Sequence, residues 1–410
     1  MPDHLVIVGG GQAAAQTIQT LRQDDFGGRI TLIGREIALP YQRPPLSKKY
    51  FLGALARERL YIRPKEFYAE HDIALELGTR ATGLDRRSQR LSLSDGREIA
   101  YDQLLLATGA RVRELDVPGV TLPGVYYLRT LGDVDAILER LASSKRLVII
   151  GAGYIGLEIA AAARSRGLEV TLLEAADRVM SRVVCEAVSS FYHDLHTEAG
   201  SEIQYAVDIT SFEGRDRVTG VLTGDGCRFP CDLVIVGIGV LPETDLAAAA
   251  GLPCDNGIVV DEFARTVDTN VLAAGDCTNH PNALFGRRIR LESVSNAIEQ
   301  GKTAAMSLLG RPQAYAQVPW FWSDQFDVKL QIAGLSANAD RIALRGGAQQ
   351  RSFAAYYLQS GRLVAVDAIN SPRDFITGKR LIAARASLDP AIIEDSTADI
   401  EAAAEPAGPR

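Results

Sequence analysis

Two glycine-rich runs in this 410-residue chain have the spacing that holds a dinucleotide. The first is Gly9-Gly10-Gly11-Gln12-Ala13-Ala14, with motif positions Gly9, Gly11 and Ala14, directly after the apolar run His4–Val8. The second is Gly151-Ala152-Gly153-Tyr154-Ile155-Gly156, after Arg146–Ile150. Glycine is needed there for a tight strand-to-helix turn and for close backbone approach to a pyrophosphate, which the N–H groups and dipole of the helix start then hold. Each loop is followed by an apolar strand and an acid: Glu36, 22 residues past Ala14, and Glu174, 18 residues past Gly156. An acid in that place binds ribose hydroxyls and repels a 2′-phosphate, so the second loop favours NADH over NADPH. Arg35 and Arg178 run against that reading, and Glu36 has the alternative of a solvated surface acid. Two intact loops imply two dinucleotides, most economically a tightly held FAD in the first and a visiting nicotinamide in the second.

The electron chemistry is bounded by what the sequence lacks. The five cysteines are Cys185, Cys227, Cys231, Cys254 and Cys277; none precedes residue 185 and none forms a CxxC pair. No histidine or further cysteine stands near Cys227 and Cys231 to complete a metal site, so all five read as structural. A flavin beside a dithiol passes electron pairs to disulfides. A flavin without one hands its electrons over directly, one or two at a time.

The remaining composition excludes several classes. Apolar residues at 47% and charged residues at 23% describe a soluble globular protein. A net charge of −7 argues against a nucleic-acid binder and means that an acidic partner needs a local basic patch. The longest apolar stretch, Leu147–Ala163, is short for a membrane span and is interrupted by Glu158 and three motif glycines. With a glycine loop opening at Gly9 there is no room for a signal peptide ahead of it, so the expected location is cytoplasmic.

The elements that must position these residues alternate strand and helix, which predicts parallel α/β layers. The pattern of strand, glycine loop, helix and strand runs once from His4 and restarts at Arg146, an internal duplication. Leu104–Leu106, ending in ATGA, and Leu233–Asp245 close strands of the two units. From Val318 the character changes to alternating short runs that predict an antiparallel sheet, with a helix around Lys379–Ala386. The expected division is 1–110 and 242–318 for an FAD-binding domain, 111–241 for an NAD-binding domain, 319–395 for a C-terminal domain and 396–410 for a flexible Ala/Glu/Pro-rich tail. The fold class is α/β, with two Rossmann-like dinucleotide-binding domains plus a C-terminal α+β domain.

The array GGGQAA, PYQRPPLSK, LLLATGA, YYLRTLGDVD, GAGYIGLEIAA, VIVGIGVLPETD, AAGDC and VPWFWSDQ resembles the FAD-dependent ferredoxin reductases of bacterial oxygenase systems. The matches run in order from residue 5 to about 327. The resemblance implies a glutathione-reductase-like fold. In PYQRPPLSK it places proline and arginine where disulfide reductases carry a cysteine.

What the resemblance implies for the site can be written onto this chain. Arg43 and Lys48 would contact the flavin, with Pro45 shaping their loop, and Ala81 would offer backbone to the adenine. Ala107 and Gly109 of LLLATGA, Arg129 of YYLRTL, Gly239 of GIG, and Gly275 and Asp276 of AAGDC would line the cofactors. Val294 would face the pyrimidine edge and Trp322 the ring; the alternatives are a helix cap for Asp276 and a core aromatic for Trp322. Tyr154 would cover the nicotinamide pocket, with plain packing as the alternative, and Ile155 is a further cofactor-binding candidate beside it. Glu158, two residues past Gly156, should be paired if buried, because an isolated charge in an apolar setting is costly. Its expected partner is Lys48, with Lys48 stabilising the reduced flavin and Glu158 positioning the carboxamide.

The implied reaction is hydride transfer from NADH to FAD, followed by single-electron transfers to a [2Fe–2S] ferredoxin that feeds a P450 or a ring-hydroxylating dioxygenase. The rivals are rubredoxin reductase, monodehydroascorbate reductase, and a flavin-binding interaction protein like apoptosis-inducing factor. Ferredoxins are acidic, so Arg311, Lys329, Lys379 and Arg380 are the candidate docking cations, with Arg287, Arg288 and Arg290 as a second cluster. No nucleic acid or membrane partner is expected, and the chain is expected to be a monomer.

Overall fold

The computed structural model describes residues 2–405. Contacts divide it into two compact units, one of 1–43, 56–111 and 240–319 and another of 44–55, 112–239 and 320–410, of which 406–410 lie outside the described residues.

The first unit is built on a five-stranded parallel sheet in the order Val271–Ala273, Gln103–Leu106, His4–Val8, Arg29–Gly34, Ile73–Leu77. Its central strand HLVIV is buried at every position, as a parallel strand covered on both faces must be. Helix Gln12–Gln23 follows it and buries Ala13, Ala14, Ile18 and Leu21 in the same core as Leu5 and Ile7.

The second unit repeats this arrangement. Its sheet runs Val125–Tyr127, Leu233–Val236, Arg146–Ile150, Glu169–Leu173, Glu202–Gln204, again parallel. Helix Tyr154–Ser165 follows the central strand. The duplication predicted from the sequence therefore extends to strand order. The outermost position of the first sheet is filled by a strand late in the chain, and that of the second by the strand nearest its start.

The second unit also holds a five-stranded antiparallel sheet, ordered Trp320–Gln325, Val328–Gly334, Arg362–Ile369, Ser352–Gln359, Arg341–Gly347. Its helix is Pro372–Ala383 and begins nearly two turns earlier than Lys379, because Pro372 at the first helical position is preset for a helix start. The segment from 396, expected to be a flexible tail, is packed as far as Glu405. Arg345 donates to the carbonyl oxygens of Ser396 at 3.0 Å and Ala398 at 2.8 Å. Ser387 and Glu405 exchange backbone hydrogen bonds of 2.8 and 3.0 Å, and Ile400 is buried. A half-buried arginine that satisfies several carbonyls can order a segment whose composition alone would not.

Candidate functional site

The first glycine turn has the geometry its sequence requires. Gly9 sits at φ +115°, and a Cβ there would lie 2.1 Å from the carbonyl oxygen of Ala107. Its N–H bonds Ile33 O at 2.8 Å, which fixes the turn to the second strand. Gly11 starts the helix with no side-chain cap, and a Cβ on Gly10 or Gly11 would meet nothing within 4 Å. The orphan N–H groups of the first helical turn thus face an open cradle, which suits a pyrophosphate.

The same unit holds several of the expected residues. Gly109 and Gly275 both take positive φ, +71° and +92°. Gly275 N–H donates to the buried Gln300 Oε1 at 2.6 Å, and Asp276 follows immediately. Val294 opens helix Val294–Leu308 behind the Ser293 cap. Ala81 starts a strand of a small antiparallel sheet. Glu36 accepts from Tyr41 Oη at 2.6 Å and pairs with Arg43 at 2.8 Å, so the acid read for ribose and the arginine read for flavin hold each other. Burial opposes the Arg43 charge, but Tyr41, Glu36 and Asp276 outweigh it and fix the guanidinium as a cation.

In the second unit Gly151 sits at φ +98°, with a prospective Cβ 2.6 Å from Gly237 O, and its N–H bonds Leu173 O at 2.8 Å. Gly153 starts the helix uncapped and faces open space. A Cβ on Gly156 would lie 2.0 Å from Gly151 O, so the third glycine lets the helix close on its own loop. Glu174 accepts from Ala152 N–H at 2.6 Å and Ala176 N–H at 2.9 Å, tying the glycine loop to the end of the second strand. Arg178, the residue that ran against NADH, spends its guanidinium on Val184 O at 3.0 Å and Ser181 O at 2.8 Å. Gly239 turns at φ +105°, and Ile155 is an exposed apolar residue on the first helical turn.

The same unit brings Lys48 and Glu158 together. Lys48 Nζ lies 2.7 Å from Glu158 Oε2, and Glu158 is 3% exposed. Pro45 shapes the loop by accepting the N–H groups of Lys48 at 3.0 Å and Tyr50 at 2.9 Å. Two hydroxyls complete the carboxylate: Ser47 Oγ donates to Oε2 at 2.5 Å and Ser323 Oγ to Oε1 at 2.6 Å. Tyr154 rests on Phe321, ring centroids 4.7 Å apart, and burial followed by the charge of Asp367 holds its phenol well above the usual range. Trp322 is partly exposed and lies 5.6 Å from Trp320, so it is not a closed core aromatic. Arg129 N–H caps back to Asp133 at 3.1 Å.

Sequence reasoning missed Ser47, Ser323, Gln325, His196 and Gln300. Of these, Ser47 stood inside the quoted motif PYQRPPLSK, and Ser323 and Gln325 inside PWFWSDQ, where the alternation of the last two marks one face of a strand.

The docking cations are each partnered locally. Arg311 faces Asp24 at 3.5 Å, Lys329 faces Asp324 at 3.9 Å and Arg380 pairs Glu401 at 2.8 Å, while Lys379 lies over Trp320 at 5.4 Å. In the second cluster, Arg288 donates to Asn279 and Val260, and Arg290 pairs Glu292. Cys277, next to Asp276, is buried, and burial pushes its thiol up, away from reactive thiolate. Among the described residues no group of His, Cys, Asp or Glu could hold a metal ion, and no helix is long and apolar enough to cross a membrane.

Both cradles therefore fit dinucleotides, with an acid at the end of each second strand and no reactive thiol beside either. A two-dinucleotide oxidoreductase is the class these features define. The chain belongs to the pyridine nucleotide-disulphide oxidoreductase family, whose model matches residues 3–301, and a Reductase C-terminal model matches residues 320–404. It is 44% identical over 400 residues to rhodocoxin reductase of Rhodococcus erythropolis, covering 97% of this chain and 94% of that protein. The ferredoxin reductase for the CYP199A2 system of Rhodopseudomonas palustris superposes with a TM-score of 0.95 at 44% identity, covering 98% of this chain and all of that one. The reductase in a covalent putidaredoxin reductase–putidaredoxin complex does so with a TM-score of 0.94 at 43% identity, covering 96% of each. The protein is thus a flavin- and NAD(H)-dependent oxidoreductase of the ferredoxin reductase type, with the glutathione-reductase-like fold expected from its sequence.

Proposed function

We propose that this chain is an NADH-dependent ferredoxin reductase of an oxygenase system: NADH plus two oxidised [2Fe–2S] ferredoxins give NAD⁺, H⁺ and two reduced ferredoxins. The observation that carries this reading is the buried Lys48–Glu158 pair in a chain with no cysteine before residue 185. FAD, when bound, supplies the conversion of a hydride into single electrons. The protein contributes placement and charge. The loop at Gly9 to Ala14 holds the FAD pyrophosphate, with Arg43, Gly275 and Asp276 as further contacts. The loop at Gly151 to Gly156 holds that of NADH.

Glu174 gives the nicotinamide preference. It is anchored by two backbone N–H groups and presents its remaining lone pairs to ribose hydroxyls, where a 2′-phosphate would meet a fixed negative charge. Lys48 sets a positive charge beside the site of electron gain, and Glu158 orients the carboxamide of the incoming nicotinamide. No side chain acts as a nucleophile. The electron acceptor is a ferredoxin, because the chain offers no dithiol to pass pairs to a disulfide.

Anaerobic stopped-flow absorbance tests this reading. Mixing with NADH bleaches the flavin band within milliseconds to seconds, NADPH does so much more slowly, and an oxidised [2Fe–2S] ferredoxin restores the band. A protein that carries no flavin, or one that NADH does not bleach, overturns the reading.

A further inference from the structure

Glu158 is the end of a longer buried chain. Ser323 donates to Glu158 Oε1 at 2.6 Å, Gln325 Nε2 lies 3.2 Å from Ser323 Oγ, and Gln325 Oε1 lies 2.9 Å from His196 Nε2. All four residues are buried. The direction of every bond follows from chemistry. A carboxylate in an ion pair only accepts, so Ser323 spends its one proton on Glu158. Ser323 can then only accept from Gln325, which must turn its amide N–H₂ to the serine and its carbonyl to the histidine. His196 must therefore carry its proton on Nε2. Its Nδ1 has no partner, and burial lowers its pKa to about 4, so the ring is neutral at pH 7.

The scaffold explains why these groups meet. Phe321, Ser323 and Gln325 alternate along strand Trp320–Gln325 and share a face. Phe321 stacks on Tyr154, and Ser323 reaches Glu158, four residues and one helical turn further on. Gln325 reaches His196 on the neighbouring helix Glu186–Glu198. One strand face thus fixes both ends of the first turn and a half of the helix that follows the second glycine loop. Bonds aligned in one direction polarise one another, and the last dipole points at Glu158.

We propose that Ser323, Gln325 and His196 are positioning residues for the reductive half-reaction: a one-directional hydrogen-bond relay that holds the Glu158 carboxylate in a single orientation opposite Lys48. This rests on the role given to Glu158 above. The relay takes Oε1 while Lys48 and Ser47 take Oε2, so a flexible side chain presents a fixed face before nicotinamide arrives, and no reorganisation is needed at the moment of transfer.

The test uses the FAD-loaded protein and two variants, Ser323→Ala and Gln325→Met, the second keeping volume while removing both bonds. Flavin reduction at saturating NADH should fall roughly 10-fold in S323A and about 3-fold or more in Q325M. The NADH concentration for half-saturation should move less than about 3-fold, since orientation rather than binding is lost. A second readout is independent of turnover: in protein labelled with ¹⁵N-histidine, His196 should show the Nε2–H tautomer at pH 7, and its Nε2–H resonance should move in S323A. An S323A protein reduced as fast as the parent overturns the relay, and so does an Nδ1–H tautomer. If the parent protein is not reduced by NADH at all, the proposed function fails instead, and the tautomer alone then decides whether the relay exists.

Discussion

The two nucleotide units carry the same turn and hold their acids differently. In the first, the third motif position is Ala14, fully buried; in the second it is Gly156, where a Cβ would lie 2.0 Å from the loop's own carbonyl. In the first, Glu36 is held by the side chains of Arg43 and Tyr41; in the second, Glu174 is held by backbone N–H groups, one from Ala152 in the glycine loop and one from Ala176 just past the strand. Each unit also buries a glutamine against a neutral histidine, with opposite polarity. Gln300 turns its oxygen to Gly275 N–H and its amide to His280, whereas Gln325 turns its oxygen to His196 and its amide towards Glu158 by way of Ser323. The first arrangement steadies a backbone turn and the second steadies a carboxylate. Under the function proposed above, this is the division between a cofactor held tightly and a reactant that comes and goes.

The largest expected effects test the glycines. Gly9→Ala puts a Cβ 2.1 Å from a backbone oxygen at φ +115°, and nothing flexible can yield. Misplaced backbone of this kind costs ~3 kcal/mol or more, so FAD affinity should fall on the order of 100-fold or beyond, measured by flavin fluorescence on dilution. Gly156→Ala should leave the FAD in place and lower the second-order rate of reduction by NADH by a similar factor. Loss of flavin from G156A, or retention of tight flavin in G9A, would break the assignment of the two loops.

Acid stability comes next. Burial, helped by Arg288, lowers the His280 pKa to about 4, and burial does the same for His196. Both folded values lie below the unfolded value of 6.5, so protons bind the unfolded chain first. The stability each contributes is full above about pH 6.5 and is lost as pH falls through about 4, up to ~3 kcal/mol per group. Chemical denaturation of each unit between pH 7.5 and 4.5 should show that loss. His280→Asn should flatten it in the unit of Gly9, and His196→Gln in the unit of Gly151. An unchanged slope in both variants would remove the neutral histidines from the account.

Sequence and structure agree most closely where chemistry is local. The glycine turns were legible because strand, loop, helix and acid follow one another within about forty residues. The strand order repeated in both units followed from that duplication. The pairing of Lys48 with Glu158 was legible for another reason: an acid two residues past the last motif glycine, on a buried helix, needs a cation. The hydroxyl and amide partners were not. Ser47 and Ser323 stand 111 and 165 residues from Glu158, and Gln325 stands 129 from His196, with no periodic pattern to join them. The segment 396–405 was misread because Ala, Glu and Pro composition says nothing about a single arginine, Arg345, that gathers its carbonyls.

A smaller effect concerns nicotinamide choice. Removing the fixed charge in Glu174→Ala should raise the NADPH rate relative to NADH by roughly 10-fold, about 1.4 kcal/mol, the scale of one charge meeting a phosphate at a partly exposed site. Parallel stopped-flow traces with both nucleotides measure it. An unchanged ratio would move the discrimination to another residue. The corresponding change at Glu36, Glu36→Gln, should leave that ratio unaltered, because its carboxylate belongs to the other unit's loop.

The smallest effect bears on docking. Arg380 and Glu401 form an ion pair at 2.8 Å with both side chains largely exposed, so Arg380→Ala should change stability by less than ~0.5 kcal/mol. The same pairing predicts its kinetics. An arginine already neutralised by a neighbouring acid adds little attraction for an acidic ferredoxin, so R380A should slow ferredoxin reduction at low salt by no more than about 2-fold. Glu401→Gln unmasks the cation and should speed that reaction by a comparable factor, with the gain vanishing as ionic strength rises. If E401Q has no effect while R380A slows the reaction several-fold, Arg380 contacts the partner directly and its bond to Glu401 must open on docking. If neither variant responds to salt, the ferredoxin approaches by another face of the molecule.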